Sequence, residues 1–269
     1  MLKLFKTSAA IAFTFLISQS VIAGETDEAK EVQDMSDPLA VYTQTGGGFT
    51  NKGINIKIGQ SYDTGNDETM AMRVIEIKGI YGDALGWDES ASIDNSVDSI
   101  RFRNFEVNLS NGRGSQIDVN YNLDANHLAE QSGDFSYSII QALPKMGVLS
   151  LYPLLGAGAA FGNNVVEDDG STDSGYSVYG TFALIGLYSK IAITDELWIN
   201  YNPFYVSTLS GSGHYKNNAF GVNNDTILLH EFVLSYQINP RLNVRYFANW
   251  SEYNNFGDGD QRIEVNYQL

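Results

Sequence analysis

The sequence predicts an all-β fold, a transmembrane up-and-down antiparallel β-barrel of about twelve strands. Three observations predict it. Apolar and polar residues alternate with a period of two along most of the chain, which places successive side chains on opposite faces of a strand. The number of such segments is even, and the connections between them alternate between short and long, as they do when both chain ends lie on one side of a membrane. A soluble β-sandwich also alternates, but it has no reason to sort its loops by length.

The first residues are predicted to form a leader. Lys3 and Lys6 give a positive start, an apolar run occupies residues 8–21, and the run ends in small residues at Ala23. This pattern predicts a secretory signal peptide over residues 1–23. A membrane anchor is the alternative, but the apolar run is short for one.

Composition limits the function of the chain beyond the leader. The polar, acidic residues 24–38 are predicted to be a flexible tail, and residues 39–269 form the barrel. Lys and Arg number 16 against 32 Asp and Glu, a net charge of −16, which argues against nucleic-acid binding because phosphate contacts require clustered basic residues. With no cysteine, disulfides, thiolate metal sites and cysteine nucleophiles are excluded. No metal and no cofactor is predicted.

The strand pattern repeats in order along the barrel. Residues 54–58 alternate Ile with Asn and Lys, and residues 117–123 repeat the pattern more cleanly. The predicted strands cover residues 39–48, 52–62, 69–82, 98–110, 114–124, 133–143, 147–161, 176–191, 195–208, 226–238, 241–251 and 261–269. Short connections are predicted at 63–68, 110–113, 143–146, 193–196 and 239–241, and outer loops at 49–51, 83–97, 125–132, 162–175, 209–225 and 252–260.

The last strand carries a family resemblance. Ile263, Val265, Tyr267 and Leu269 alternate up to the last residue. This resembles the closing strand of bacterial outer-membrane β-barrel proteins of porin-like type, although that family usually ends in Phe or Trp. The glycine-rich residues 153–161 also look like strands of small outer-membrane barrels. The resemblance covers residues 39–269 and implies a multi-pass protein of the bacterial outer membrane. It names no substrate family.

The resemblance also implies partners. Outer-membrane lipids and lipopolysaccharide are expected around the barrel, and the barrel-assembly machinery is expected at the C-terminal strand. No nucleic acid is expected, and the oligomeric state stays open.

The polar alternates are expected to face the lumen when the apolar ones face lipid. The predicted lumen and constriction residues are Lys57, Glu76, Lys78, Arg101, Arg103, Glu106, Asp118, Glu231, Arg245, Arg262 and Glu264. Six are basic and five are acidic, so the excess acid of the chain is predicted to lie in the tail and outer loops. A bulge near Asn104 would exchange the two faces of its strand.

Barrel size leaves two interpretations of this lumen. About eight strands leave an interior filled by side chains, and about sixteen leave an aqueous channel. Twelve strands allow a narrow pore in which opposed Arg and Glu orient a small polar solute. They also allow a lumen plugged by its own ion pairs.

The outer loops are predicted to form an acidic mouth. Its residues are Asp83, Asp88, Glu89, Asp94, Glu167, Asp168, Asp169 and Asp173. Such residues commonly stay solvated, and they can also concentrate cations. Neither 168–170 nor 258–260 has the spacing of a twelve-residue calcium loop.

The predicted function is a narrow porin-like channel for ions or small polar solutes. The alternative is a structural or surface-interaction barrel with a plugged, salt-bridged lumen, and a lipid-modifying enzyme of the outer membrane is the third hypothesis. No enzyme is predicted, because His127 and His214 lie in predicted loops and His230 points away from its neighbour Glu231.

Overall fold

The computed structural model describes residues 32–82 and 99–269. The strands are β1 Gln44–Thr50, β2 Gly53–Tyr62, β3 Thr69–Ile80, β4 Ser99–Asn108, β5 Arg113–Asn122, β6 Ala129–Gln141, β7 Leu149–Val165, β8 Tyr176–Ala192, β9 Leu197–Gly211, β10 Thr226–Asn239, β11 Leu242–Ser251 and β12 Asp260–Gln268. A short helix, α1 Gly213–Asn218, precedes β10, and a 3-10 turn, Phe256–Asp258, precedes β12. No helix in the described ranges is long and apolar enough to cross a membrane.

The strands form a closed antiparallel barrel, which confirms the predicted fold class. Each strand pairs with its neighbours in sequence, and β1 closes on β12 with Gln44 opposite Gln268 and Thr50 opposite Arg262. Closure gives every strand two partners. A barrel can therefore satisfy its backbone hydrogen bonds in lipid without an open edge.

The two faces of the wall differ in chemistry. On β2, Ile56 and Ile58 are 45% and 61% exposed, whereas the alternating residues Asn55 and Lys57 are 0% and 8% exposed. Apolar side chains therefore point outward and polar ones into the lumen. This is the arrangement of a barrel that stands in a membrane.

The two ends of the barrel also differ. The connections 109–112, 193–196 and 240–241 lie at one end, here called the short-turn end. The loops 166–175 and 212–225 lie at the other, here called the long-loop end. Predicted loop residues 83–97 lie outside the described residues.

Strand lengths depart from the prediction on one side of the barrel. β6 begins at Ala129 and β7 ends at Val165, and these two residues face each other in the ladder. Both are buried with Leu128 and Tyr179 in a small apolar cluster. This packing extends the strands into the predicted loops 125–132 and 162–175. β7 and β8 have 17 residues each, whereas β1 has 7.

The chain enters the barrel through residues 32–43, here called the N-terminal segment. The sequence predicts a tail through residue 38 and a first strand from residue 39. Instead Met35 and Val41 are buried, and Leu39 and Val41 pack against Met72. The segment has enough apolar side chains to leave water, so residues 32–38 belong to the folded unit. The predicted signal peptide, 1–23, and tail residues 24–31 lie outside the described residues.

Candidate functional site

The N-terminal segment occupies the lumen at the short-turn end. The Lys190 ammonium lies 3.3 Å from the Asp34 carboxylate and also donates to the Ser36 hydroxyl. The Tyr152 hydroxyl donates to Asp37 Oδ1 at 3.1 Å. These polar contacts are made with inward side chains of β7 and β8, whereas Thr43, at the end of the segment, bonds the Ser61 hydroxyl on β2 at 2.9 Å.

The carboxyl group of Asp34 is held in its charged form. Partial burial raises its pKa, but hydrogen bonds from the Ser36 hydroxyl and backbone N–H and the charge of Lys190 outweigh that effect. The pKa of Asp34 therefore lies below its ordinary value.

Above the segment, ion pairs link strands along one side of the lumen, from β12 through β1, β2 and β3 to β4. Glu76 contacts Arg262 at 3.1 Å, Arg103 at 3.3 Å and Lys78 at 3.6 Å. Glu264 contacts Lys57 and lies 3.5 Å from Arg262. These six side chains, carried by β2, β3, β4 and β12, are here called the ion-pair cluster: Lys57, Glu76, Lys78, Arg103, Arg262 and Glu264.

A second ion pair lies beside the cluster. Arg101 binds Asp118 in a bidentate manner, with Nε to Oδ1 at 2.8 Å, and Gln116 Nε2 donates to the same carboxylate at 2.9 Å. Bidentate geometry fixes the guanidinium in one orientation. Arg101 is therefore a fixed part of the wall.

Two predicted lumen residues have only neutral hydrogen-bond partners among the described residues. Arg245 donates to Ser235 Oγ at 3.0 Å and to Asn200 Oδ1 at 3.3 Å. Glu231 accepts from Asn202 Nδ2 at 2.7 Å. Their charges are left available to the lumen.

Glu106 is the exception among the eleven predicted lumen residues. It pairs with Ala71 and Ser115 on the face that also carries Phe102 and Ile75, and it is exposed on the outside of the barrel. The pairing of β4 with β3 and β5 runs without a register shift, so the bulge expected near Asn104 is not present. With strict alternation, Arg101 and Arg103 facing inward place Glu106 outward.

A large cavity fills the long-loop half of the lumen. It has a volume of about 780 Å³ and is here called the vestibule. Arg101, Arg103 and Asp118 lie on one side, and residues from β8, β9 and β10 lie on the other. That second side is apolar: Phe182, Leu184, Phe204, Val206, Ile227 and Leu229, here called the apolar wall.

Sequence reasoning missed both the N-terminal segment and the apolar wall. The signal for the wall was present, because 182–187 and 204–206 are apolar on both strand faces. A barrel strand with a polar lumen should be apolar on one face. The first part of the N-terminal segment is predicted to be a tail because its residues are mostly polar, although apolar residues lie among and after them.

The described loops connect with one another over the vestibule. His127 Nε2 lies 2.6 Å from the Asn218 carbonyl oxygen, and His214 Nε2 lies 3.1 Å from the His127 carbonyl oxygen. Tyr215 on α1 is 3% exposed and packs edge-on against Tyr179 at 5.2 Å between ring centroids. Burial raises the pKa of Tyr215 to about 12. The loop 212–225 thus lies partly across the opening.

The acidic mouth residues divide into two groups. Asp83, Asp88, Glu89 and Asp94 lie outside the described residues. Of the others, Asp168 accepts from the His214 backbone N–H at 2.5 Å, and Asp169 accepts from the Ser171 backbone N–H at 2.9 Å. Hydrogen bonds from Ser171 lower the pKa of Asp169. Glu167 is half-buried in the same loop, and Asp173 is exposed.

In the described ranges, the histidines bind neither acids nor serines. His127 and His214 contact backbone carbonyls, and His230 Nδ1 lies 2.8 Å from the Tyr201 hydroxyl. His230 stacks on Trp250 on the outer surface, with ring centroids 5.0 Å apart, as in an aromatic girdle. No cluster of three or more possible metal-ligating side chains occurs in this part of the chain.

No protein-family model and no curated protein matches the chain. Among solved structures, the NanC porin is similar over 84% of this chain and 100% of its own, with a TM-score of 0.51 and 12% identity. The translocator domain of the autotransporter NalP from Neisseria meningitidis matches over 87% and 91%, with a TM-score of 0.48 and 11% identity. The KdgM porin matches over 85% and 99%, with a TM-score of 0.42 and 10% identity.

At 12% identity the similarity to NanC shows a shared fold. That fold, the apolar outer surface and the charged lumen agree with one another. The chain is a multi-pass β-barrel of the bacterial outer membrane, with the fold of the NanC porin.

Proposed function

We propose that the barrel is a narrow channel for small polar or ionic solutes, with the N-terminal segment lodged in its short-turn half. The observation that supports this function is a series of cavities along the lumen. The vestibule of about 780 Å³ is followed by one of about 170 Å³ and one of about 420 Å³. Adjacent cavities share lining residues, so the series runs from the long loops to the short turns.

The narrow point lies where the ion-pair cluster meets the N-terminal segment. The cavity of about 170 Å³ is lined by Met35 and Asp37 from the segment and by Glu76, Arg245 and Arg262 from the wall. A solute that crosses the barrel must pass between these groups. Conductance should therefore be small while the segment is seated.

The charges of the lumen and of the mouth favour opposite ions: the lumen has a basic excess and the described mouth is acidic. Of the ten predicted residues that face the lumen, six are basic and four acidic, because Glu106 points outward. The described mouth carries Glu167, Asp168, Asp169 and Asp173, and these carboxylates would concentrate cations at the opening. We infer a weak cation preference, set at the mouth, for the seated state.

The alternative is a structural barrel with a plugged lumen. The ion-pair cluster favours it, because its members satisfy one another without a solute. In both cases we propose that outer-membrane lipids and lipopolysaccharide surround the wall, and that β12 is the strand that the assembly machinery recognises. A catalytic role has no support from the described histidines.

Bilayer recordings decide between channel and plug. The refolded chain is placed in a planar bilayer beside Arg245→Ala, which widens the constriction, and Leu234→Ala, which removes an outward side chain of β10. We expect small steps of current, larger in Arg245→Ala and unchanged in Leu234→Ala. No current at any voltage in all three proteins would support the plugged barrel instead.

A further inference from the structure

The apolar wall is continuous across three strands. Leu184 lies opposite Val206, and Val206 lies opposite Ile227; one row closer to the short-turn end, Phe204 lies opposite Leu229. All of them point into the lumen. Leu229 is 38% exposed although it lies inside a closed barrel, so its exposed surface belongs to the vestibule.

Glycines make this wall flat. A Cβ atom at Gly186 would come within 2.4 Å of a Phe204 ring carbon, and one at Gly158 within 2.5 Å of a Phe182 ring carbon. Both rings therefore lie directly over the backbone of the neighbouring strand. The result is a smooth apolar surface inside the lumen. Contact between water and such a surface is unfavourable, so a pore for purely polar solutes would not be expected to carry it.

The opposite side of the vestibule supplies charge. Arg103 lines the vestibule, its side chain is 21% exposed, and it uses one terminal nitrogen for Glu76 at 3.3 Å. A guanidinium has five N–H donors, and a carboxylate suits it in particular. Arg101 cannot take that role, because Asp118 already occupies it.

From this juxtaposition we propose that the vestibule binds small amphipathic anions, with a flat apolar body on the apolar wall and a carboxylate at Arg103. The site narrows the solute class of the proposed channel and rests on it for transport, but binding itself requires no conduction. The volume of about 780 Å³ accommodates a molecule of drug-like size.

Titration calorimetry on the full chain in nanodiscs tests the proposal with 2-naphthoate as the probe. Gluconate carries the charge without the apolar body, and 2-naphthylmethylamine carries the body with the opposite charge. We expect saturable binding of 2-naphthoate, and at least tenfold weaker binding of both comparison compounds. Equal binding of gluconate would exclude the role of the apolar wall, and equal binding of the amine would exclude Arg103 as the anchor.

Matched variants locate the site. Phe204→Ser removes a ring of the apolar wall, and Tyr205→Ser removes the next ring on the same strand, which points outward and is 44% exposed. We expect about tenfold weaker 2-naphthoate binding in Phe204→Ser, because the probe loses its contact with one apolar ring. Binding should not change in Tyr205→Ser. Equal effects would place the probe in lipid or detergent and overturn the proposal.

A second pair tests the charge. Arg103→Gln and Lys78→Gln each remove one partner of Glu76, but of the two residues only Arg103 lines the vestibule. Binding should fall in Arg103→Gln alone. Binding without conductance would refute the proposed channel and keep this site, whereas conductance without 2-naphthoate binding would refute this site and keep the channel.

Discussion

At the scale of single residues, the lumen is held together by carboxylates that each serve several cations. Glu264 is 1% exposed, contacts Lys57 and Arg262, and accepts from Asn55 Nδ2 at 2.9 Å. A buried ion pair of this kind adds little net stability, because the cost of removing both charges from water offsets their attraction. The carboxylate is still needed, because without it the buried cations are left uncompensated. Removing it would leave two buried cations with less counter-charge.

The first prediction concerns this carboxylate. Glu264→Gln should lower the free energy of unfolding by about 3–5 kcal/mol, the usual cost of breaking a buried ion pair from one side. Urea unfolding in micelles measures it. Glu106→Gln is the control, because that side chain points outward, and its stability should be unchanged. A loss of similar size in both variants would contradict the assigned faces of β4 and β12.

The second prediction concerns pH. The pKa of Asp34 is lower in the seated segment than its ordinary value, so the contribution of Asp34 is present above about pH 4 and is lost as pH falls below it. The effect should be modest, because the Asp34 side chain is 65% exposed. Conductance should rise as the pH is lowered from about 4 to about 3. In Asp34→Asn it should already be higher at neutral pH and should not change over that interval; an identical pH profile in both proteins would exclude Asp34.

At the scale of elements, the N-terminal segment behaves like an internal plug that is anchored at few points. Its polar anchors are Asp34, Ser36 and Asp37, and its apolar anchors are Met35 and the pair Leu39 and Val41. The segment has no strand pairing of its own within residues 32–43. Thr43 accepts a backbone hydrogen bond from Leu269 at 2.9 Å, so residues 32–42 can leave the lumen without breaking the barrel ladder.

The third prediction tests that independence. The chain has no cysteine, so Ser36→Cys with Lys190→Cys introduces the only two thiols. A short bifunctional thiol reagent should join them and hold conductance at its lowest level at every voltage. Each single cysteine variant treated in the same way is the control. Unchanged current fluctuations after crosslinking would show that the segment does not limit flow.

Sequence patterns predicted the strands better than they predicted what fills the lumen. Alternation indicated twelve strands because lipid requires an apolar outer face at every other position, and this holds at Ile56, Ile58 and Ile263 alike. The lumen is less constrained. An inward position can hold a charged residue such as Arg101 or an apolar one such as Phe182. Which inward side chains contact each other depends on the pairing of the strands, which the alternation does not reveal. The segment 32–43 could not be placed because its partners, such as Lys190, are distant in sequence.

At the scale of the whole molecule, the placement of charge follows the axis of the barrel. The described residues of the acidic mouth lie at one end and the acidic segment at the other, with the basic excess of the wall between them. Asp34 and Asp37 balance the excess of six basic over four acidic predicted residues. Among the other charged residues that line the lumen, Lys190 with Asp134 and Lys52 with Asp260 cancel in pairs. The seated segment thus supplies the counter-charge of the lumen.

The fourth prediction rests on that balance. Deleting residues 32–38 should raise conductance and shift the reversal potential across a salt gradient from weak cation preference toward anion preference. The cation preference of the intact protein should fade as salt approaches about 1 M, where the Debye length is about 3 Å. Neutralising Glu167 and Asp173 is the complementary change and should reduce cation preference without raising conductance. An unshifted reversal potential after the deletion would contradict the charge assignment.

The unequal strands have a consequence for the surrounding lipid. At about 3.4 Å per residue, the 7 residues of β1 extend about 24 Å and the 17 residues of β7 about 58 Å. With the usual tilt of such strands, β1 is shorter than the roughly 9–11 residues that span a bilayer, and β7 is longer. Hydrophobic mismatch therefore changes around the circumference. We expect the bilayer to thin beside β1, in the seam with β12 that also carries Gly46, Gly47 and Gly48, and to keep its full thickness beside β7 and β8. A change in membrane thickness should therefore affect the pairing of β1 with β12 more than that of any other strands described.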